Sequence, residues 1–110
     1  MFFSADSAAM AMAFVRLHEA TGERAHLDRA VELATFLESA MVDPASGALF
    51  SSTTDPDAAG VFAKRRVSFE DNVLALRVYA RLARATRDAR WPAAIRRILT
   101  GISTPGQIKA

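Results

Sequence analysis

The chain has no cysteine among its 110 residues. Disulfides, thiolate nucleophiles and cysteine-based zinc sites are therefore excluded, and composition carries no sign of redox compartment. Histidine is nearly absent as well. His18 and His26 are the two present; they fall on different helical segments with no third or fourth ligand nearby, so no metal site is expected. No cofactor is expected either. Long apolar runs are also missing: the longest, residues 8–15, is far short of the about 20 residues that span a bilayer. The opening MFFSADSA lacks the basic stretch of a secretory signal. These absences predict a soluble, cytoplasmic protein with no membrane partner.

What is present suits one globular domain. Hydrophobic residues make up 51% and charged residues 24%, enough apolar material for a single modest core and unlike a disordered chain. Net charge is +2, but residues 1–60 hold nine of the twelve acids and residues 61–110 hold eleven of the fourteen bases. Lys64, Arg65 and Arg66, followed by Arg77, Arg81, Arg84, Arg87 and Arg90, could make phosphate contacts. No aromatic residues interleave with them and no reading-helix motif is present, so nucleic-acid binding is a minor alternative. An acidic half facing a basic half, within one fold or between two chains, accounts better for the asymmetry.

A repeat organises the chain. RLHEATGERAHLDRAVELATFL, beginning at Arg16, returns 65 residues later as RLARATRDARWPAAIRRILTGI, beginning at Arg81. Leu17 falls on Leu82, Thr21 on Thr86, Glu23 on Asp88, His26 on Trp91 and Asp6 on Asp71. Each copy reads as helix, tight turn, helix. A first helix from Ser4–Asp6 to Thr21 is capped by Ser4 or Asp6 and closed by Gly22. Leu27, Ala30, Val31, Ala34, Leu37 and Met41 give the second a single buried stripe, which Asp43-Pro44 ends. The short turn between them requires antiparallel packing.

Residues 43–67 form a long connection in which residues 48–50 and 61–63 are candidate short extended pieces. Ser68 and Asp71 form an S-x-x-D cap for the third helix, and Asp88 caps the fourth, which ends near Gly101. The predicted fold is all-α: a single domain, residues 1–110, with one hairpin at about 5–42, a loop at 43–67 and a second hairpin at about 68–101.

Several stretches carry a family resemblance. Leu17-His18-Glu19-Ala20-Thr21-Gly22-Glu23, His26-Leu27 and Asp43-Pro44-Ala45-Ser46-Gly47-Ala48-Leu49-Phe50 resemble the repeating hairpin of (α/α)6 toroid proteins. Within that group the sequence is most similar to the helical C-terminal region of thioredoxin-domain-containing proteins of the spermatogenesis-associated type. It is more distantly similar to N-acylglucosamine 2-epimerases and six-hairpin glycosidases. RRVSFEDN resembles the group's entry into an inner helix. The paired histidines of the epimerases have no counterpart, and nothing matches a thioredoxin half. A toroid needs six hairpins and this sequence has two, so the resemblance implies a minimal relative or a piece of a larger ring.

Glu70 and Asp71 are the candidate catalytic residues, because the entrance to an inner helix in such rings faces the central cavity and acids there can act as general acid or base. Arg66 and Asn72 flank them as candidate ligand-binding residues. Against this, Asp71 suits a helix cap and Glu70 suits the helix dipole. Two hairpins cannot enclose a cavity. The chain alone is therefore expected to be a non-catalytic assembly or interaction module, or part of a larger toroid, with carbohydrate-directed acid–base chemistry as the alternative. The apolar circumference of the first helix predicts self-association, a dimer before a ring of three copies, or cover by the remainder of a larger toroid.

Overall fold

A computed structural model describes residues 3–52 and 66–103. Four helices follow one another: α1 (Ser4–Thr21), α2 (Arg24–Ala40), α3 (Phe69–Thr86) and α4 (Arg90–Ser103). Among the described residues extended structure is confined to isolated antiparallel bridges, Phe3 with Ser52, Val42 with Leu49 and Phe50 with Val67. The all-α class and the two hairpins stand as read from the sequence. Of the expected extended pieces, residues 48–50 supply two bridge positions; residues 61–63 lie outside the described residues.

The turns repeat bond for bond. Thr21 Oγ1 donates to Leu17 O at 2.8 Å and accepts the Glu23 N–H at 3.2 Å. Thr86 Oγ1 donates to Leu82 O at 2.7 Å and accepts the Asp88 N–H at 3.2 Å. Each helix then closes on a left-handed residue, Gly22 at φ 73° and Arg87 at φ 56°. Their N–H groups bond to His18 O and Ala83 O, one turn back. A threonine thus stitches each helix end to the start of the next, which fixes the two antiparallel pairs.

The hairpins lie side by side through their first helices. Glu19 pairs with Arg81 near the C-terminal ends of α1 and α3, and the bridges of residues 3, 50, 52 and 67 gather the opposite ends. The two helices therefore run parallel, with α2 packed on α1 and α3, and α4 packed on α3. The core between them holds Ala8, Ala11, Val15, Leu27, Ala34, Leu37, Val78, Tyr79, Leu82, Trp91 and Ile98. Trp91 of α4 and Tyr79 of α3 meet within it, their ring centroids 5.1 Å apart. Burying such aromatics supplies much of a small core's stability.

Two helix boundaries differ from the sequence reading. The N-cap of α1 is Phe3, with no side-chain cap; Ser4 is inside the helix and its hydroxyl is buried without a hydrogen-bond partner. Ser4 N–H instead bonds to Ser51 O at 2.8 Å, so the 41–52 segment anchors this end. Helix α4 runs two residues past Gly101. That glycine does not stop the helix: a Cβ on it would stand 2.6 Å from Ser46 O, so its role is to admit the Asp43–Gly47 turn.

Candidate functional site

The parallel course of α1 and α3 brings Asp6, Glu70 and Asp71 to the same end of the molecule. Ser68 caps α3, its Oγ accepting the Asp71 N–H at 3.3 Å. The reciprocal half of the expected capping pair is not formed. Among the described residues neither the Glu70 nor the Asp71 carboxylate makes a hydrogen bond or ion pair, and Glu70 is exposed while Asp71 is half-buried. Both carboxylates are thus free to meet a ligand at a helix N-terminus, where negative charge is favoured.

Around them, spacing along α3 builds a shallow groove. Phe69, Val73 and Arg77 recur every fourth residue, with Glu70 and Leu74 beside them, and these five side chains line it. Arg66 is exposed just ahead of the helix, its carbonyl accepting the Ser51 N–H at 2.7 Å. Residues 53–65, including Asp55, Asp57, Lys64 and Arg65, lie outside the described residues.

Asn72 sits differently from its neighbours. It is fully buried. Its Oδ1 accepts the Leu49 N–H at 2.7 Å, and Nδ2 donates to Leu49 O at 3.0 Å and to Ser68 O at 2.7 Å. The amide imitates a strand partner for Leu49 and consumes its polar groups inside the chain. As placed here it holds the 41–52 segment against α3 instead of facing the candidate site.

A second polar cluster, which the sequence reading did not single out, supports this end from below. Arg97 on α4 grips Glu38 on α2 with both terminal nitrogens, at 2.7 and 2.8 Å, and donates through Nε to Gly47 O. Tyr79 OH donates to the same carboxylate at 2.9 Å. Burial first, and then the Glu38 carboxylate, push the Tyr79 phenol above its ordinary range. The hydrogen bond to Glu38 likewise raises Arg97. The signal in the sequence was the acidic first half and basic second half, which meet here and at Glu19–Arg81.

The histidines stay near the far turn. His18 Nδ1 lies 3.1 Å from Glu23 O, and His26 Nε2 lies 3.2 Å from the Glu23 carboxylate while its ring stacks on Phe14. Among the described residues no group of three or more His, Cys, Asp or Glu side chains is placed to hold a metal. None of the described helices is long and apolar enough to cross a membrane.

This arrangement resembles two neighbouring hairpins of a helical toroid. An inactive family 76 α-1,6-mannanase of a Salegentibacter species, solved with α-1,6-mannotriose, superposes with a TM-score of 0.82 over 98% of this chain and 32% of its own, at 16% identity. The same enzyme with α-1,6-mannotetrose gives 0.83. A family 76 glycoside hydrolase from a bovine Bacteroides thetaiotaomicron strain gives 0.74 over 90% of this chain and 22% of its own, at 17% identity. The chain spans about a third of the length of the mannanase it matches. No family model matches it, and no curated protein does. The toroid part of the sequence resemblance is supported by these structures; the likeness to thioredoxin-domain proteins is not.

Proposed function

We propose that these two hairpins are a carbohydrate-facing segment of a toroid, with the entrance of α3 as the sugar-facing end. The observation that carries this reading is the match of nearly the whole chain to mannanase structures solved with α-1,6-linked mannose oligomers. Those variants are inactive with two consecutive aspartates replaced, and this chain has two consecutive acids, Glu70 and Asp71, unpaired at a helix entrance. In this reading one carboxylic acid protonates a leaving oxygen and the other carboxylate acts as base or nucleophile, the division of labour that glycoside cleavage requires. Arg66 and Arg77 supply hydrogen-bond donors to sugar hydroxyls, and Phe69, 49% exposed, supplies an apolar face for a sugar ring.

Two hairpins leave the site open to water, so the isolated chain binds and does not hydrolyse. The test is a titration with α-1,6-mannotriose followed by amide chemical shifts. Weak, saturable shifts centred on residues 66–74 are expected, and E70Q/D71N should weaken binding about tenfold by removing charged hydrogen bonds. Shifts scattered over the surface, or unchanged affinity in the double variant, would remove the support for this reading and leave a purely structural module.

A further inference from the structure

One face of α3 carries charge in a pattern that the repeat does not explain. Glu70, Arg77 and Arg84 follow one another at seven-residue steps, about two helical turns each, so they share a face of the helix. At 1.5 Å per residue Arg77 stands about 10 Å from Glu70 along the axis, and Arg84 about 21 Å. All three are exposed. Arg77 lines the same groove as Glu70, beside Phe69, Val73 and Leu74. Among the described residues neither Arg77 nor Arg84 makes a hydrogen bond or ion pair, whereas Arg81 between them is held by Glu19, and Arg97 by Glu38. The repeat carries Glu70, Arg77 and Arg84 onto Ala5, Met12 and Glu19, so the hairpin itself does not need charges in this order. A place in the last turn accounts for Arg84 through the helix dipole; Arg77, in mid-helix, has no such account.

We infer that the α3 groove takes an acidic glycan: a sugar chain neutral where it meets Glu70 and Asp71 and bearing a carboxylate or phosphate where it meets Arg77, with Arg84 placed for the next such group. This deepens, and rests on, the reading of the α3 entrance as sugar-facing. Neutral hydroxyls are served by any N–H donor. A guanidinium without a carboxylate of its own presents a fork that matches two oxygens of a carboxylate or phosphate. The apolar walls of Phe69, Val73 and Leu74 reduce local screening and strengthen that attraction.

The order of charge sets the polarity of the ligand. Asp6, Glu70 and Asp71 stand at one end and outnumber Arg66, the exposed cation beside them; Arg77 and Arg84 follow toward the other end. A uniformly charged strand, such as a nucleic acid, would set a phosphate against Glu70 and Asp71, which opposes binding. A glycan carrying its acid about 10 Å from the carboxylate pair, the length of a disaccharide, meets both ends with the favourable sign. Arg77 is thereby the residue that selects acidic over neutral chains, and Arg84 extends the preference along the helix.

The test titrates the whole chain, followed by amide chemical shifts, with three probes: α-1,6-mannotriose, the same triose phosphorylated at O6 of its non-reducing end, and the same triose oxidised there to a carboxylate. At about 20 mM salt at least one acidic probe should bind about tenfold or more tighter than the neutral one, and the tighter of the two names the anion. The ratio of acidic to neutral affinity should fall to about one in R77Q/R84Q, which keeps amide donors and removes the charges. In the unaltered chain the ratio should shrink severalfold at about 500 mM salt. Circular dichroism checks that the exposed substitutions keep the helices, and the salt series stands without them. Equal affinity for neutral and acidic trioses, or a ratio indifferent to salt or to R77Q/R84Q, overturns the inference and leaves the sugar-facing reading intact. Absence of binding by all three probes removes the sugar-facing reading and this inference with it. Tighter binding of a single-stranded oligonucleotide than of either acidic triose, through the same arginines, also overturns it by making the face a general polyanion surface.

Discussion

Gly22 and Arg87 occupy the same place in the two hairpins, close the same kind of turn and differ in what that costs. Glycine adopts a left-handed backbone freely; a side-chain-bearing residue there pays roughly 1 kcal/mol. Asp88 offsets part of this in the second hairpin, its Oδ1 accepting the Arg90 N–H at 3.0 Å, where Glu23 makes no side-chain cap. The difference grows away from the turn. At the other end Asn72 is fully buried and bonded to Leu49, while its repeat mate Ser7 is half-buried. One geometry thus carries a long-range clasp in the second hairpin, and among the described residues its counterpart in the first makes none. The repeat determines the shape, and the residues that depart from it determine which side is closed.

The largest effect should come from breaking the closed side at its most buried point. Asn72→Ala leaves the N–H and C=O of Leu49 without partners inside the protein, and should cost about 3 kcal/mol or more in urea denaturation. Ser7→Ala at the matching position should stay within about 0.5 kcal/mol. Equal costs would mean that the two ends are less different than their hydrogen bonds suggest.

Next in size is the Glu38 cluster. Arg97→Ala or Glu38→Ala should cost about 2–3 kcal/mol, because each strands a partly buried charge; Glu32→Ala, at the repeat position of Arg97 and paired among the described residues only with the exposed Arg29, should cost almost nothing. The same cluster sets a pH dependence. The Tyr79 pKa is raised in the folded state, so its contribution is present below the ordinary tyrosine value, about 10, and is lost as pH rises above it. Stability should fall beyond that pH, and Tyr79→Phe should flatten the fall.

The smallest effect sharpens the comparison at the turns. Arg87→Gly should stabilise by about 0.5–1 kcal/mol, and Gly22→Ala should destabilise by about 1 kcal/mol. Both shifts are measurable as melting temperatures. A destabilised Arg87→Gly would show that the arginine side chain contributes more than its backbone costs.

The legibility of this molecule in its sequence follows range. Helix–turn–helix units were readable because their determinants are local: the threonine, the left-handed residue and the apolar spacing all fall within a few positions. Glu70 and Asp71 were singled out for the same reason, as a short acidic run at a cap. Asn72 was grouped with them because adjacency is all a sequence shows. Its partner Leu49 is 23 residues away, and nothing local marks an asparagine amide as a mimic of a strand. Arg97 was missed outright, since one arginine among many becomes distinctive when a carboxylate 59 positions earlier folds onto it. Ser4 misled in the opposite sense: it has a capping side chain, but the 41–52 segment takes the end of α1 and Ser4 is buried.

The separation between short-range turns and long-range clasps also orders events in time. Closing Leu17 onto Thr21, or Leu82 onto Thr86, fixes few residues, whereas joining Glu19 to Arg81 or Glu38 to Arg97 closes loops of about 60 residues at a larger entropic cost. Loop-closure entropy alone therefore favours hairpins that form early and clasps that close late. Substitutions at Thr21 or Thr86 then slow the approach to the native state, and substitutions at Glu38 or Arg97 shorten its lifetime with little change in how quickly it is reached. The Arg97 fork, described above as support for the α3 entrance, is on this account the element that governs how long the two hairpins stay together.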